Sequence, residues 1–289
     1  MRELAMGRTA GERGVAIAAW SGTALVVASF ALLVGDLLLR GGSRLRWSFL
    51  VEAPLDAGRA GGIAPILVST LLLIVVALVV ATPLALLCAL FLDWSSGLRS
   101  NTAARFTGLV RAGLDILGGV PSIVFGLFGN ALFCRLFGFG YSLLAGGLTL
   151  ACMALPLMVR ALDDGLRAVA PAQRAAAAAL GLSRATIVTH VLLPAALPAL
   201  VAGCVLGLAR ALAETAALVF TSGYVDRMPG SLFDSGRSLS VHVYDLAMDV
   251  AGGDASACAA ALLLLLLVLA IHLAARFLLS VASRRRRRA

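Results

Sequence analysis

Six stretches of this chain are too long and too apolar to be the core of a soluble domain. A membrane span needs about 20 mostly apolar residues. The runs 15–39, 63–92, 114–139, 142–159, 199–222 and 255–281 approach or exceed that length. Only 13% of the 289 residues are charged and 61% are hydrophobic, whereas a soluble domain carries about 25% charged residues. A lipid interior offers no water to backbone groups, so apolar runs of this kind must be helices. The fold class that follows is all-α: a polytopic membrane protein with six transmembrane helices. The first run, about 25 residues long, exceeds the ~7–15 residues of a signal-peptide core and is read as an uncleaved first helix.

The net charge is +9 and every basic residue is arginine. A basic chain raises the question of nucleic acid, which the placement of the arginines answers. If the termini and even-numbered loops share one side, that side holds Arg2, Arg8, Arg13, Arg99, Arg105, Arg111, Arg160, Arg167, Arg174, Arg184, Arg276 and the run 284–288. The other side holds Arg40, Arg44, Arg46, Arg59, Arg135, Arg227 and Arg237, and Arg210 alone lies inside a span. The 16-to-7 asymmetry makes the first side cytoplasmic by the positive-inside rule. The charge therefore describes topology, with both termini inside, and not a nucleic-acid surface. The expected organisation is a cytoplasmic tail over 1–14, a single membrane domain over 15–283 with an external loop at 223–254, and a basic tail over 284–289. That tail is a cytoplasmic anchor, with contact to anionic membrane lipid as its second reading.

The absence of lysine removes a phosphate-loop ATPase site, whose lysine reaches the nucleotide phosphates, and any Schiff-base cofactor. Cys88, Cys134, Cys152, Cys204 and Cys258 fall in or near apolar runs without C-x-x-C spacing and read as small buried hydrophobes. His190, His242 and His272 are scattered. No catalytic residue, cofactor or metal site is expected, and an enzyme is set aside.

The segment 168–197 is the most informative. After Pro171 a run of helix formers ends at Leu180; Gly181 can take the left-handed conformation that stops a helix, and Ser183 can cap the next one. Ile187, Val188, Val191 and Leu192 give that second helix an apolar stripe. Pro194 is read as its end and Pro198 as the opening of the fifth span. Such a helix–Gly–helix knuckle with apolar residues marks a protein contact, unless the stripe packs on the chain's own spans.

Arg210 and Glu214 lie deep in the fifth run. Arg210 is 12 residues past Pro198, about 18 Å along a helix, which is near the midplane of a core about 30 Å thick. Each such charge costs about 2.5–3.5 kcal/mol, so both should face protein or water. On one continuous helix they share a face with Gly203 and Gly207, a small-residue packing pattern. Two readings stay open: a structural i, i+4 ion pair, or an arginine that meets a translocated anion, since guanidinium bonds two oxygens of an oxyanion at once. Arg160, near the end of the fourth span, is an interfacial arginine or a second anion contact. Gly118 to Ser122 reads as a packing kink or as a broken helix whose half-helix start favours anions.

The segment 168–197 resembles the coupling loop of ABC importer permeases, with the pattern E-A-A-x-x-x-G-x9-I-x-L-P. Ala176, Ala177 and Gly181 match, Val191-Leu192-Leu193-Pro194 follows with Val for Ile, and Ala175 replaces the glutamate. Together with 119–127 (GVPSIVFGL), 155–166 (LPLMVRALDDGL), 208–218 (LARALAETAAL) and 237–247 (RSLSVHVYDLA), the chain from about 61 to 277 is similar to phosphate ABC transporter permeases of the PstA type. That resemblance implies the type I ABC importer permease fold in a bacterial inner membrane. It implies a heterodimer with a sister permease, two ATPase subunits on the cytoplasmic side and an extracytoplasmic phosphate-binding protein. It places Arg160, Arg210 and Glu214 at charged positions linked to phosphate transport, with Ser122 beside the path. It assigns Ala176, Ala177, Gly181, Leu182, Ile187, Leu193 and Pro194 to the ATPase contact. The physical reading alone supports an anion-compatible path, so a molybdate or sulfate permease is the alternative within the class. A secondary transporter is the alternative outside it, and it has no use for the knuckle.

Overall fold

The computed structural model describes residues 10–96, 101–169 and 171–286. Arg2, Arg8, Arg99 and the last three residues of the basic tail lie outside the described residues. The chain begins with α1 (Ala10–Gly41), a short helix α2 (Trp47–Val51) and a two-residue hairpin, β1 (Pro54–Leu55) paired antiparallel with β2 (Ala60–Gly61). Then come α3 (Ala64–Ser96), α4 (Asn101–Gly119), α5 (Ser122–Gly129) with a π-helical extension to Leu136, and α6 (Leu143–Arg167). The knuckle is α7 (Pro171–Ala179) and α8 (Arg184–Ile187), followed by a π turn to Leu192 and α9 (Leu193–Ala213). The chain closes with α10 (Ala216–Val219), α11 (Leu239–Met248) and α12 (Asp254–Arg286).

Among the described residues five helices are long and apolar enough to cross a membrane, and the bent pair α4–α5, counted as one broken span, makes six. α6 is the centre of the bundle, packing on α3 along one side and α9 along the other. Two-thirds of its span is buried, whereas α1 buries none of its apolar window. Small residues set that geometry. A Cβ added at Gly147 would lie 2.5 Å from Val76 Cγ1, and one at Gly146 2.8 Å from Leu73 Cδ2. Across the other face, Cβ atoms at Gly203 and Gly207 would meet Ala161 at 3.2 Å and Met158 Sδ at 3.1 Å. With no hydrophobic driving force in lipid, such close backbone approach is what holds helices together. At the far end of α1, Gly41 rests directly on the Cys258 and Ala259 backbone of α12.

One open reading is decided and two expectations need correction. Gly118 to Ser122 is a break in the helix and not a packing kink. α4 and α5 meet at 101° across Val120–Pro121, because Pro121 has no N–H to continue the ladder and its ring pushes the preceding residue out of the helical region. The second knuckle helix does not end at Pro194, and Pro198 does not open the fifth span. α8, the π turn and α9 run on without a break, with Pro194 in the first turn of α9 and Pro198 inside it. A wider π turn just before two prolines is where the lost donors are absorbed. Finally, the fifth span is not one helix over 199–222. α9 ends at Ala213, Glu214 is extended (φ −79°, ψ 125°), and α10 restarts at Ala216.

Candidate translocation path and coupling loop

The break after α9 removes the i, i+4 geometry that would pair Arg210 with Glu214. Glu214 turns to the backbone instead: its Oε1 accepts from Ala217 N–H at 3.1 Å, opening α10, and its carbonyl accepts from Ser240 Oγ of α11 at 2.5 Å. The structural ion-pair reading is therefore overturned, and Glu214 is a backbone cap. Arg210 is half-buried, and no hydrogen bond or ion pair joins it to another described residue. Its Nε is fully buried without a partner. A buried donor in that state costs ~1–3 kcal/mol, a cost that a fold built only for stability would avoid.

The same two breaks lie side by side. Gly126 of α5 packs against the Ala217 backbone of α10, 2.8 Å from where a Cβ would stand, and Phe125 shares a core with Ala211, Leu218 and Val241. Ser122 opens α5 at this junction and is half-buried. A crevice lined by Ala77, Ala81, Ala154, Met158, Gly207 and Ala211 runs beneath it between α3, α6 and α9.

Arg160 occupies a lower level. α6 and α9 run antiparallel with Ala154 facing Gly207 and Ala161 facing Gly203. At 1.5 Å per residue, Arg160 then sits about 10 Å nearer the coupling-loop end than Arg210. It is exposed, pairs with Asp115 of α4 at 2.5 Å, and lies over Gly118 next to the α4–α5 break. A second pair joins Arg111 to Asp163 at 3.2 Å, and Arg167 closes on the same carboxylate at 3.1 Å. These residues line a cavity of about 260 Å³ with three arginines and three aspartates, Asp164 included. Sequence reading singled out Arg160 but missed Asp115, whose partner is 45 positions away, and Asp163, which has a local i, i+4 partner in Arg167 but also meets Arg111 from 52 positions away.

At the coupling loop, Gly181 has φ +71° and nothing within reach of an added Cβ. Ser183 Oγ accepts from Thr186 N–H at 3.2 Å and caps α8. The apolar stripe mostly packs inward: Leu192 is buried, and Ile187 and Val188 lie against the central core. Ala177 is buried and Ala176 exposed; Leu193 and Pro194 are half-buried. What the knuckle does present is Leu180, 78% exposed, and Leu182. The sequence treated Leu180 only as the end of a helix.

The segment 223–253 closes the end opposite the knuckle. Arg237 is buried there, bonded to Asp245 at 2.6 Å, to the Tyr224 carbonyl at 3.0 Å and to His242 Nδ1 at 3.2 Å. Burial, reinforced by the Arg237 cation, pulls the His242 pKa down to about 4.

A bundle of long apolar helices with two interrupted crossings, an unpaired arginine and a helix–Gly–helix knuckle is a transmembrane permease. Residues 81–288 match the family of binding-protein-dependent transport system inner membrane components, and this chain belongs to that family. It is 35% identical over 244 residues to phosphate transport system permease protein PstA 1 of Mycobacterium tuberculosis, covering 83% of this chain and 77% of that one. It is 30% identical over 247 residues to the probable ABC transporter permease protein YqgI of Bacillus subtilis, covering 81% and 82%. A chain of the inward-facing MetNI methionine ABC transporter superposes with a TM-score of 0.58 at 20% identity, covering 76% of this chain and 94% of that one. The fold is that of the type I ABC importer permeases.

The segment 223–253 carries a pH signature. The unfolded chain takes up the His242 proton near 6.5 and the folded protein only near 4, so the folded state binds fewer protons in between. Stability is full above about pH 6.5 and falls as pH drops toward 4, by up to about 3 kcal/mol. Thermal melts of detergent-solubilised protein across this range should show earlier unfolding of the wild type at low pH. His242→Gln should flatten that part of the profile; an unchanged profile would contradict a neutral buried histidine.

Proposed function

We propose that this chain forms half of the membrane path of an ATP-driven phosphate importer, with both termini in the cytoplasm. The observation that carries this reading is Arg210, a cation near the middle of the bundle whose guanidinium is bonded to no described residue. A planar fork that stays charged suits a tetrahedral oxyanion, and several relatives are named phosphate transport permeases. An anion held at Arg210 has Arg160 about 10 Å further on, where Asp115 already occupies the guanidinium. The carboxylate competes with the anion and keeps the lower site weak, which favours release. The chain itself performs no hydrolysis. Under this proposal a sister permease completes the path, two ATPase subunits lie beneath the knuckle, and a phosphate-binding protein delivers from outside.

Arg210→Gln should lower phosphate uptake per assembled complex by about 10- to 100-fold, the cost of charge-assisted hydrogen bonds lost at the anion. Arg210→Lys should fall in between, because it keeps the charge and loses the fork. Adding Glu214→Gln should restore nothing, since Glu214 caps α10. Near-normal uptake by Arg210→Gln would reject the role. Competition by sulfate and molybdate in the same assay separates phosphate from the other oxyanions.

Coupling is checked at Gly181. A β-branched side chain resists its left-handed backbone at a cost of ~1–2 kcal/mol. Gly181→Val should insert normally but lose ATPase copurification or coupled uptake; if both stay normal, the knuckle is not the contact. Orientation is checked by labelling on a cysteine-free background. Ser231→Cys should react from outside and Ala172→Cys should not, both positions being exposed; the reverse pattern inverts the topology.

A further inference from the structure

Two arginine-lined recesses sit at opposite ends of this protein, and their electrostatics differ. The recess between α4 and α6 balances three arginines with three aspartates. The other lies on the face opposite the knuckle, between the end of α1, α2 and the hairpin. It is a cavity of about 460 Å³ lined by Ser43, Arg44, Arg46, Ser48, Phe49, Arg59 and the Ala60–Gly61 strand, with no acidic residue in its wall. We propose that this second recess binds a phosphate group.

The arginines are arranged for it. Arg44 is held from behind: its Nη1 donates to the Arg59 carbonyl at 2.7 Å and to Ser256 Oγ at 2.5 Å, and Ser256 Oγ donates to the same carbonyl at 3.1 Å. Its Nε and Nη2 have no partner among the described residues. Arg46 is exposed, with no side-chain hydrogen bond or ion pair to a described residue. Arg59 is neutralised by Asp56 at 2.6 Å and tied to the Ala251 carbonyl, so its role is to brace the floor. The working charge is that of Arg44 and Arg46, two cations without a counter-charge, with the Ser43 and Ser48 hydroxyls beside them as neutral donors. Two guanidinium forks, Arg44 held in place and Arg46 free to close, can meet one tetrahedral oxyanion with short, charge-assisted bonds. Arginine on this face also runs against the charge bias that orients membrane proteins, and the recess gives these residues a use.

The phosphate group can be free inorganic phosphate or the headgroup of an anionic phospholipid. The surroundings accommodate both, since Trp47 stands 77% exposed beside the recess and tryptophan anchors at the headgroup layer. The test uses the full chain in nanodiscs. One arm counts phosphatidylglycerol retained over phosphatidylcholine by native mass spectrometry. The other measures binding of radiolabelled inorganic phosphate in phosphatidylcholine discs, in an Arg210→Gln background that removes the proposed path site. Arg46→Gln leaves the fold untouched, because nothing in the protein holds that side chain, and should melt like the wild type. It should weaken one of the two arms by about tenfold, the loss of one charged contact, and Arg46→Glu should abolish it. Loss in the lipid arm identifies a headgroup site, and loss in the phosphate arm identifies a site for the free anion. Equal binding of both probes by wild type and Arg46→Glu overturns the proposal, whatever Arg210→Gln does to uptake.

Discussion

An unpaired backbone carbonyl in hydrocarbon costs several kcal/mol, and this chain interrupts two of its crossings. The interruption after α9 is satisfied by partners that other elements supply. At the second break, Ser240 of α11 bonds the Glu214 carbonyl, Asn130 Nδ2 bonds the Phe220 carbonyl at 2.7 Å, and Ser142 N–H bonds the Thr221 carbonyl at 3.0 Å. Gly236 N–H and Ser235 Oγ both close on the Ser222 carbonyl. These partners come from the π-helical extension of α5, the start of α6 and the segment 223–253. Irregular backbone is thus kept inside protein, where it can shape a path without facing lipid.

That requirement explains why α6 is the most buried crossing. It must touch α3, α5, α9 and α10 at once, and only a helix rich in small residues can be approached from so many sides. Gly129 meets Thr149, and Gly165 meets Ala199, at distances that leave no room for a Cβ. α1 carries no such load. Its large side chains, such as Trp20, Phe30 and Leu39, are exposed in the single chain, and its firm contact is the Gly41 crossing of α12.

The number of crossings, the left-handed Gly181 and the Ser183 cap were legible in the sequence because each is a local signal: run length, a missing Cβ, a hydroxyl one residue before a helix. The 101° bend was half legible, since Gly118–Ser122 announces a break but not its angle. The end of α9 was not legible. Its sequence, ARALAETAAL, consists of strong helix formers around a single threonine, and periodicity carries straight through it. The break is imposed by tertiary bonds from α11, 26 residues away from Glu214, and such bonds have no signature in a helical wheel. Asp115 was missed for the same reason, since its partner Arg160 comes from another helix, and so was the bond that joins Asp163 to Arg111 of α4.

The distribution of counter-charge along the bundle gives the proposed path a direction. Arg210 has no hydrogen bond or ion pair to a described residue, so in the proposed path it would offer an arriving anion an unshared guanidinium in a region where low dielectric strengthens the interaction. Arg160, by contrast, has a carboxylate at contact distance and a side chain 47% exposed, so an anion reaching it would gain only the difference between two partners in a more screened environment. A uniform ladder of bare arginines would hold phosphate too tightly to release it. In the proposed path, an affinity that falls toward the knuckle would favour movement of the anion one way, and ATP hydrolysis on partner subunits would need only to control which end is open.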